Sequence, residues 1–203
     1  MNDFEQKLQT QFGKKILEKI QKVKIGIAGA GGLGSNCAFN LVRSGFKKIK
    51  VIDFDKVEIS NLNRQFYFFD QLGMDKVEAL KVNLLRINPD LAIESVVKKL
   101  DQDNILESFA DCDVVVEAFD GAEEKAMLAA KFIKTDKFLV SASGLAGIGS
   151  SDSIKTNRIK DNFFLIGDLV SDSKNSFPIS PRVNVAAAKQ ADLILEFVVK
   201  NTS

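Results

Sequence analysis

The chain has 203 residues, of which 45% are hydrophobic, and its 28 basic and 27 acidic side chains leave a formal net charge of +1. A chain of this length can bury one hydrophobic core, so we expect a single domain over residues 1–203. The balanced charge creates no global field to attract nucleic acid or an anionic membrane, so neither is expected as a partner.

The first half of the chain alternates between helix-like and strand-like segments. An amphipathic helix is predicted over residues 4–21, followed by a buried strand at 23–29, a helix at 31–45 and a second strand at 48–54. The apolar residues of the first helix recur every four positions: Phe4, Leu8, Phe12, Ile16 and Ile20. This stripe needs covering, either by a second copy of the chain or by the chain's own sheet.

The second half continues the alternation. A helix over residues 75–89 ends at a proline, and a less buried strand at 90–100, a helix near 103–109 and a strand at 113–119 follow. A helix after Gly121 and a strand at 137–142 complete the regular part. Residues 143–168 contain scattered glycines and two short strand-like pieces, and a last helix begins near Ser180 and Pro181.

This order predicts an α/β fold of the Rossmann-like, doubly wound type. We expect a mainly parallel sheet with helices on both faces and an antiparallel extension near the C-terminus. Within one domain, the predicted parts are an N-terminal helix (1–22), a nucleotide-binding core (23–142), and a sheet extension with a C-terminal helix (143–203).

The sequence GAGGLG at residues 29–34 follows a predicted strand and begins a predicted helix. Glycines at this spacing let backbone amides at a helix N-terminus face a phosphate without Cβ atoms in the way. Asp53 follows Gly34 by 19 residues, near the distance typical of an acid that binds a ribose. The pattern predicts a nucleotide site, but it does not choose between NAD and ATP.

The stretch from residue 51 to 73 adds polar groups that a nicotinamide ring does not require. Asn61, Arg64 and Lys76 can donate to phosphate oxygens beyond the first one, which favours a triphosphate. For each residue alone there is a simpler interpretation, in which Asn61 caps a short helix and the two cations are solvated.

Four motifs together resemble the ThiF/MoeB/HesA family of carrier-protein adenylyltransferases, which is related to the ubiquitin-activating enzymes. They are GAGGLGS, DFDKVEISNLNRQ, GMDKVEALK and EAFDGAEEK, in this order between residues 29 and 125. The resemblance implies an ATP-dependent reaction on the C-terminal glycine of a small ubiquitin-like sulfur carrier ending in Gly-Gly, with release of pyrophosphate. It also implies a homodimer.

The resemblance assigns roles residue by residue. Asn61, Arg64 and Lys76 would hold the triphosphate, and Asp120 would bind Mg²⁺, with Arg64, Lys76 and Asp120 as the catalytic set. Asp120 has the alternative of capping the helix that follows. Asp53 would contact the ribose, and Asp55 would also contact the nucleotide or could instead shape its loop. The remaining nucleotide contacts would come from Gly29, Gly31, Gly32 and Gly34.

Cysteine and arginine usage departs from longer members of that family. Cys37 and Cys112 are too few and too far apart for a zinc site without any histidine, so no zinc is expected and core packing is the favoured role of both. No cysteine follows Cys112, and no arginine precedes Arg43. The arginine that longer relatives carry in their N-terminal helix is therefore either replaced by Lys14, Lys15 or Lys19 or missing.

The brevity of the chain resembles the short ThiF-like branch of thiamine biosynthesis, whose carrier is ThiS. Two alternatives stay open, an NAD-dependent oxidoreductase and a catalytically silent ThiF-like binding or scaffold protein. The oxidoreductase would need a proton-transfer residue, but the chain has no histidine and one tyrosine, Tyr67. The charged N-terminus and the lack of an apolar run of about 20 residues predict a soluble, cytoplasmic protein.

Overall fold

One seven-stranded sheet organises the chain in the computed structural model, which describes residues 1–171 and 176–201. The strands run in the order β3-β2-β1-β4-β5-β7-β6, and every neighbouring pair is parallel except the antiparallel pair β6 and β7. Their bounds are Lys24–Ala28 (β1), Lys48–Asp53 (β2), Ala92–Val97 (β3), Val114–Glu117 (β4), Phe138–Ala142 (β5), Lys155–Lys160 (β6) and Phe163–Gly167 (β7).

Seven α-helices connect or flank these strands within the described residues. They are Asp3–Phe12 (α1), Lys14–Lys22 (α2), Gly32–Arg43 (α3), Lys76–Leu85 (α4), Ile105–Ser108 (α5), Ala122–Phe132 (α6) and Ser180–Asn201 (α7). No helix within residues 1–171 and 176–201 is long and apolar enough to span a bilayer. The predicted doubly wound α/β fold with its antiparallel extension is confirmed.

The sheet has a hydrophobic core on each face because its central strands are apolar on both sides. Val114 and Val116 of β4 belong to the core beneath α3, α4 and α7, whereas Val115 between them belongs to the smaller core beneath α5 and α6. The predicted inward residues of α7, among them Ala187 and Ile194, are fully buried. Helices therefore cover both faces of the sheet.

The N-terminal segment corrects one prediction. Residues 4–21 do not form one helix, because α1 ends at Phe12 and Gly13 adopts a φ of +81° before α2 begins. Leu8 and Ile20 of the predicted stripe are buried against the chain itself, packed around Gly45 at the end of the α3 segment. The stripe is therefore largely covered by its own fold and gives no argument for a partner.

Strands β6 and β7 form the predicted antiparallel pair, joined by a turn at Asp161 and Asn162. Strand β6 is the outer edge of the sheet, and Lys155, Arg158 and Lys160 are exposed along it. The pairing register shifts between Arg158 and Lys160, as a β-bulge does.

Four charged residues on β1, β2, β3 and the turn before β4 form a group of ion pairs. Asp111 accepts from the Lys50 Nζ at 2.6 Å and from the Lys24 Nζ at 2.5 Å, and both lysines also pair with Glu94. The two lysines hold the pKa of Asp111 below its usual range, chiefly through the hydrogen bond from Lys24. These ion pairs link three adjacent strands to the turn before β4.

Candidate nucleotide site

A cavity of about 330 Å³ opens at the carboxyl ends of β1, β2 and β4. Strand order reverses between β1 and β4, and open α/β sheets bind ligands at such a switch point. The volume is within the range of small-molecule sites. Six residues predicted for the site line the cavity: Gly29, Gly31, Asp53, Asp55, Lys76 and Asp120.

The glycine turn, which is the segment of residues 29–34, forms one wall of this cavity. Gly29 has a φ of +100°, and a Cβ there would come within 2.8 Å of the Ala118 carbonyl oxygen. A Cβ at Gly34 would lie 1.9 Å from the Gly29 carbonyl oxygen, so only glycine lets α3 start this close to β1. Gly31 is the N-cap of α3 and supplies no side-chain hydrogen bond, which leaves the first backbone N–H groups for an anion.

Asp53 holds the glycine turn in place from the end of β2. Its carboxylate accepts hydrogen bonds from the backbone N–H of Ala30 at 2.6 Å and of Asp55 at 2.8 Å. Burial raises the pKa of Asp53, while these two hydrogen bonds and the charge of Lys76 oppose the rise. Asp53 thus orders the turn as well as facing the cavity.

Lys76 and Asp55 form an ion pair at the cavity wall. The Lys76 Nζ lies 2.7 Å from the Asp55 Oδ2, and the Lys76 backbone N–H donates to the Asp55 carbonyl. Lys76 is only 6% exposed, so the interpretation of Lys76 as a solvated lysine is wrong. Asp55 both lines the cavity and holds Lys76, which unites its two proposed roles.

The structure separates Asn61 from this group. The Asn61 Oδ1 accepts a hydrogen bond from the Glu58 backbone N–H at 2.9 Å, as part of a capping box in the short 3-10 helix Ile59–Asn61. Asn61 is buried and is not among the residues that line the cavity. The simpler interpretation, a capping asparagine, describes its side chain here.

Arg64 lies beside the N-terminus of α3, outside the cavity lining. Its guanidinium donates to the Ser60 carbonyl at 3.0 Å and to the Asn63 Oδ1 at 2.8 Å. Its Cγ lies 3.5 Å from the position that a Cβ on Gly32 would take. Gly32 and Gly34 also lie outside the lining, so their part in the site is to let α3 and Arg64 approach the glycine turn.

Asp120 follows β4 and faces the glycine turn. Helix α6 takes Gly121 as its N-cap with no side-chain cap, so the capping alternative for Asp120 is wrong. The Asp120 Oδ1 lies 4.0 Å from the position of a Cβ on Gly31. Its carboxylate is exposed and makes no hydrogen bond or ion pair with any residue of the described parts.

This single carboxylate fits a magnesium ion that travels with a nucleotide. Within residues 1–171 and 176–201, no cluster of three or more acidic, cysteine or histidine side chains forms a ready-made metal site. Mg²⁺ is usually bound through one or two carboxylates plus substrate phosphates and retained water. Asp120 offers the protein's share of such a set.

Three further residues lie at or near the cavity: Gln65, which is near Gly31 but outside the lining, and Lys98 and Lys99, which are part of the lining. Gln65 is 8% exposed, its Oε1 has no hydrogen-bond partner in the part of the chain that the structure describes, and its Nε2 lies 3.9 Å from the position of a Cβ on Gly31. Lys98 and Lys99 line the cavity beyond β3, and the Lys99 ammonium lies 5.7 Å from the centre of the Phe54 ring. Two features of the sequence could have indicated these residues. Gln65 directly follows Arg64, and both lysines lie at the end of a parallel strand.

Tyr67 and the two cysteines have structural surroundings. The Tyr67 hydroxyl donates to the Ala30 carbonyl at 2.6 Å, and burial raises its pKa well above the usual range. Burial also raises the pKa of Cys37 and brings that of Cys112 to about 12. Both thiols are packed in the core, as predicted.

Fold and site together define a Rossmann-like α/β protein with a glycine turn, an aspartate at the end of β2 and a lysine at the carboxyl edge of its sheet, an arrangement typical of nucleotide-binding domains. The chain belongs to the ThiF family, whose model matches residues 4–199.

Curated relatives match parts of the chain. The molybdopterin-synthase adenylyltransferase of Haemophilus influenzae is 38% identical over 107 residues, which are 52% of this chain and 44% of that protein. The SUMO-activating enzyme subunit 2 of Dictyostelium discoideum is 35% identical over 66% of this chain and 21% of its own length. The ubiquitin-like modifier-activating enzyme 5 of Caenorhabditis elegans is 46% identical over 38% of this chain and 18% of its own length. The chain thus spans less than half the length of each of these relatives.

Two solved structures share the fold. E. coli tRNA N6-threonylcarbamoyladenosine dehydratase, TcdA, in complex with ATP, superposes with a TM-score of 0.85 over 95% of this chain and 92% of that chain, at 22% identity. E. coli MccB with ATP superposes with a TM-score of 0.72 over 93% of this chain and 60% of that chain, at 23% identity.

Proposed function

We propose that this protein uses ATP and Mg²⁺ to adenylate the C-terminal glycine of a small ubiquitin-like carrier protein. The observation that carries the proposal is the convergence of Asp53, Lys76 and Asp120 with the glycine turn around one cavity. Membership of the ThiF family and the names of the partial relatives support the same reaction class.

The residues at hand suffice for adenylyl transfer. The attacking carboxylate is already ionised at neutral pH, so no general base is needed, and the work is alignment with the α-phosphorus and stabilisation of negative charge on the departing pyrophosphate. Backbone amides at the start of α3 and the ammonium of Lys76 would receive the phosphates. Arg64, beside the same helix end, would turn its guanidinium from Ser60 and Asn63 toward the leaving group.

Asp120 would hold the magnesium ion together with the nucleotide phosphates. When bound, the ion neutralises charge on the triphosphate and on pyrophosphate as it leaves. The carboxylate of Asp120, which has no partner within residues 1–171 and 176–201, supports this role.

We further propose a ThiS-like sulfur carrier as substrate, in thiamine biosynthesis. Cys37 and Cys112 are both buried, so neither thiol would take the carrier over as a thioester, and the acyl-adenylate itself would be the product of this domain. An NAD-dependent oxidoreductase is less well supported, since the hydroxyl of Tyr67 is occupied by the Ala30 carbonyl.

We also propose a homodimer. The loop of residues 57–74 is closed at its base by hydrogen bonds of Val57 with Gly73 and Met74, and it exposes large apolar side chains. They are Ile59, Phe68, Phe69, Leu72 and Met74. A concentrated apolar surface of this kind is typical of an interface between proteins.

A pyrophosphate-exchange assay tests the reaction. The purified chain would be mixed with ATP, Mg²⁺, labelled pyrophosphate and one carrier at a time from a panel ending in Gly-Gly, which includes thiamine-type and molybdopterin-type carriers. We expect exchange with the thiamine-type carrier and none when its last glycine is deleted. Exchange with the molybdopterin-type carrier alone would overturn the thiamine assignment, and ATP binding without exchange on any carrier would favour a silent scaffold.

A further inference from the structure

Glu117 is a charged side chain with no exposure, at the last position of β4 and three residues before Asp120. It does not line the nucleotide cavity, although Ala118, Phe119 and Asp120 directly after it do. Direct contact with a nucleotide therefore does not explain the buried carboxylate of Glu117.

The carboxylate of Glu117 is bound on all sides by the protein. Its Oε1 accepts from the Phe119 backbone N–H at 2.7 Å, and both oxygens lie 3.2 Å from the Lys125 Nζ. Its Oε2 also accepts from the Ser141 hydroxyl of β5. The Lys125 Nζ has a further partner in the Ala142 carbonyl at 2.9 Å.

Glu117 holds the backbone before Asp120 directly, and it is tied to the start of α6 after Asp120 through the side chain of Lys125. The residue before it, Phe119, is held through its N–H by Glu117. The residue after it, Gly121, accepts a hydrogen bond at 3.1 Å from the backbone N–H of Lys125, whose side chain is paired with Glu117. The side chain of Asp120 itself has no partner among the described residues, so its direction depends on this clamp.

This clamp, formed by Glu117, Lys125 and Ser141, contributes little net stability. A buried ion pair loses much of its Coulomb energy to desolvation, and an apolar pair of the same volume is often as stable. Buried ionic groups can instead give one defined local conformation, which is what a ligand-binding carboxylate on a short turn needs.

We propose that Glu117 is a positioning residue, which acts through the Phe119–Gly121 turn to aim the Asp120 carboxylate at a magnesium-bound nucleotide. This inference rests on the function proposed above. Loss of the Glu117 charge would leave Lys125 without its carboxylate and let the turn take several conformations. Nucleotide binding would then require a higher Mg²⁺ concentration.

The test is the magnesium dependence of ATP binding, measured by calorimetry without any carrier protein. Partners that orient a metal ligand are typically worth about 10- to 100-fold in metal affinity, so Glu117→Gln should raise the half-saturating Mg²⁺ concentration by about that factor. In an Asp120→Asn background the same substitution should change it by less than about twofold, because the carboxylate it aims is gone. Lys125→Arg, which keeps the charge, should stay near the wild type.

Glu5→Gln is the matched control. Glu5 is also a buried carboxylate with one lysine partner, Lys47 at 2.7 Å, but it belongs to α1 and does not line the cavity. Its variant should lose stability in urea and keep the wild-type magnesium dependence.

The outcomes separate the two proposals. Equal effects of Glu117→Gln in both backgrounds, or none in either, would overturn the positioning role. If Glu117→Gln does not fold, Ser141→Ala decides, because it removes one hydrogen bond from the same carboxylate; we expect an increase of several fold that Asp120→Asn abolishes, and no increase would overturn the inference. Wild-type protein that binds ATP without any effect of Mg²⁺ would instead contradict the proposed function.

Discussion

At the scale of single residues, Arg64 has the sharpest consequence for the chemistry. Its guanidinium lies beside the start of α3 and is held by Ser60 and Asn63. If it turns to the leaving pyrophosphate, its contribution grows as the bond to the α-phosphorus breaks, and it is larger in the transition state than in bound ATP.

Arg64→Ala should therefore reduce the adenylation rate by about a hundred- to a thousandfold, roughly 3 to 4 kcal/mol, and weaken ATP binding much less. Single-turnover kinetics and calorimetry on the same preparation measure the two quantities. Arg86→Ala, at the exposed end of α4, is the control and should change neither. A loss of ATP affinity at unchanged turnover would show that Arg64 only anchors the ground state.

Asn61 illustrates what the sequence could not decide at this scale. An asparagine amide can cap a helix or donate to a phosphate, and both roles suit a short polar loop. Which one it takes depends on where the Glu58 backbone N–H lies, and that follows from the folded loop. By contrast, the spacing of Asp53 from the glycine turn was sufficient to predict that they meet, because parallel strands bring their carboxyl ends to one edge.

Asp111 forms ion pairs with Lys24 of β1 and Lys50 of β2. Because its folded pKa is lowered, its ion pairs stabilise the fold above the usual aspartate pKa of about 3.9, and this contribution falls as the pH drops toward the folded pKa. Asp111 is half exposed, so solvent screening limits the effect of Asp111→Asn at pH 7 to about 1 kcal/mol.

Urea unfolding at several pH values checks this expectation. The difference between Asp111→Asn and the wild type should shrink below about pH 4 and in high salt. Asp136→Asn, a change at an exposed aspartate that forms no ion pair with the described residues, serves as the control. A difference that persists unchanged at low pH would contradict an electrostatic origin.

At the scale of elements, the start of α3 depends on a glycine without a Cβ. Gly34→Ala would place a methyl group 1.9 Å from the Gly29 carbonyl oxygen, so the helix must shift away from the turn. We expect a loss of about 3 kcal/mol or more in the free energy of unfolding, together with loss of ATP binding.

Gly73→Ala is the matched comparison. Gly73 has a φ of +84° but open space around its Cβ position, so the cost is backbone strain alone, roughly 1 to 2 kcal/mol. Urea unfolding of both variants measures the contrast. Equal losses would mean that close packing of α3 on β1 is not what requires Gly34.

The sequence was most informative about the helices and strands, with one wrong prediction in the N-terminal segment. Apolar runs and helical spacing predicted the strands, the hairpin after residue 143 and the inward face of α7. The break at Gly13 was missed because the apolar period continues through it from Phe12 to Ile16. Periodicity reports which side is buried, but it does not report a φ of +81° at one glycine.

At the scale of the whole molecule, the loop of residues 57–74 predicts the oligomeric state. Phe69 is 72% exposed at its tip, and Phe69→Asp should convert a homodimer into a monomer in light scattering at micromolar concentration. Ile159→Asp, at an exposed apolar residue of β6, should leave the dimer intact. A wild-type protein that is monomeric and fully active would contradict the dimer.

Strand β6 bears on how the protein behaves when it is crowded. An edge strand presents unpaired N–H and C=O groups to which a strand of another molecule can add, the first step toward aggregation. Lys155 and Lys160 on β6 repel the same strand of a second molecule, whereas Arg158 is paired with Asp161 at 2.8 Å. The bulge between Arg158 and Lys160 interrupts the regular spacing that such pairing requires. The outer edge of the sheet is thus protected from edge-to-edge aggregation by charge and shape, without a covering helix.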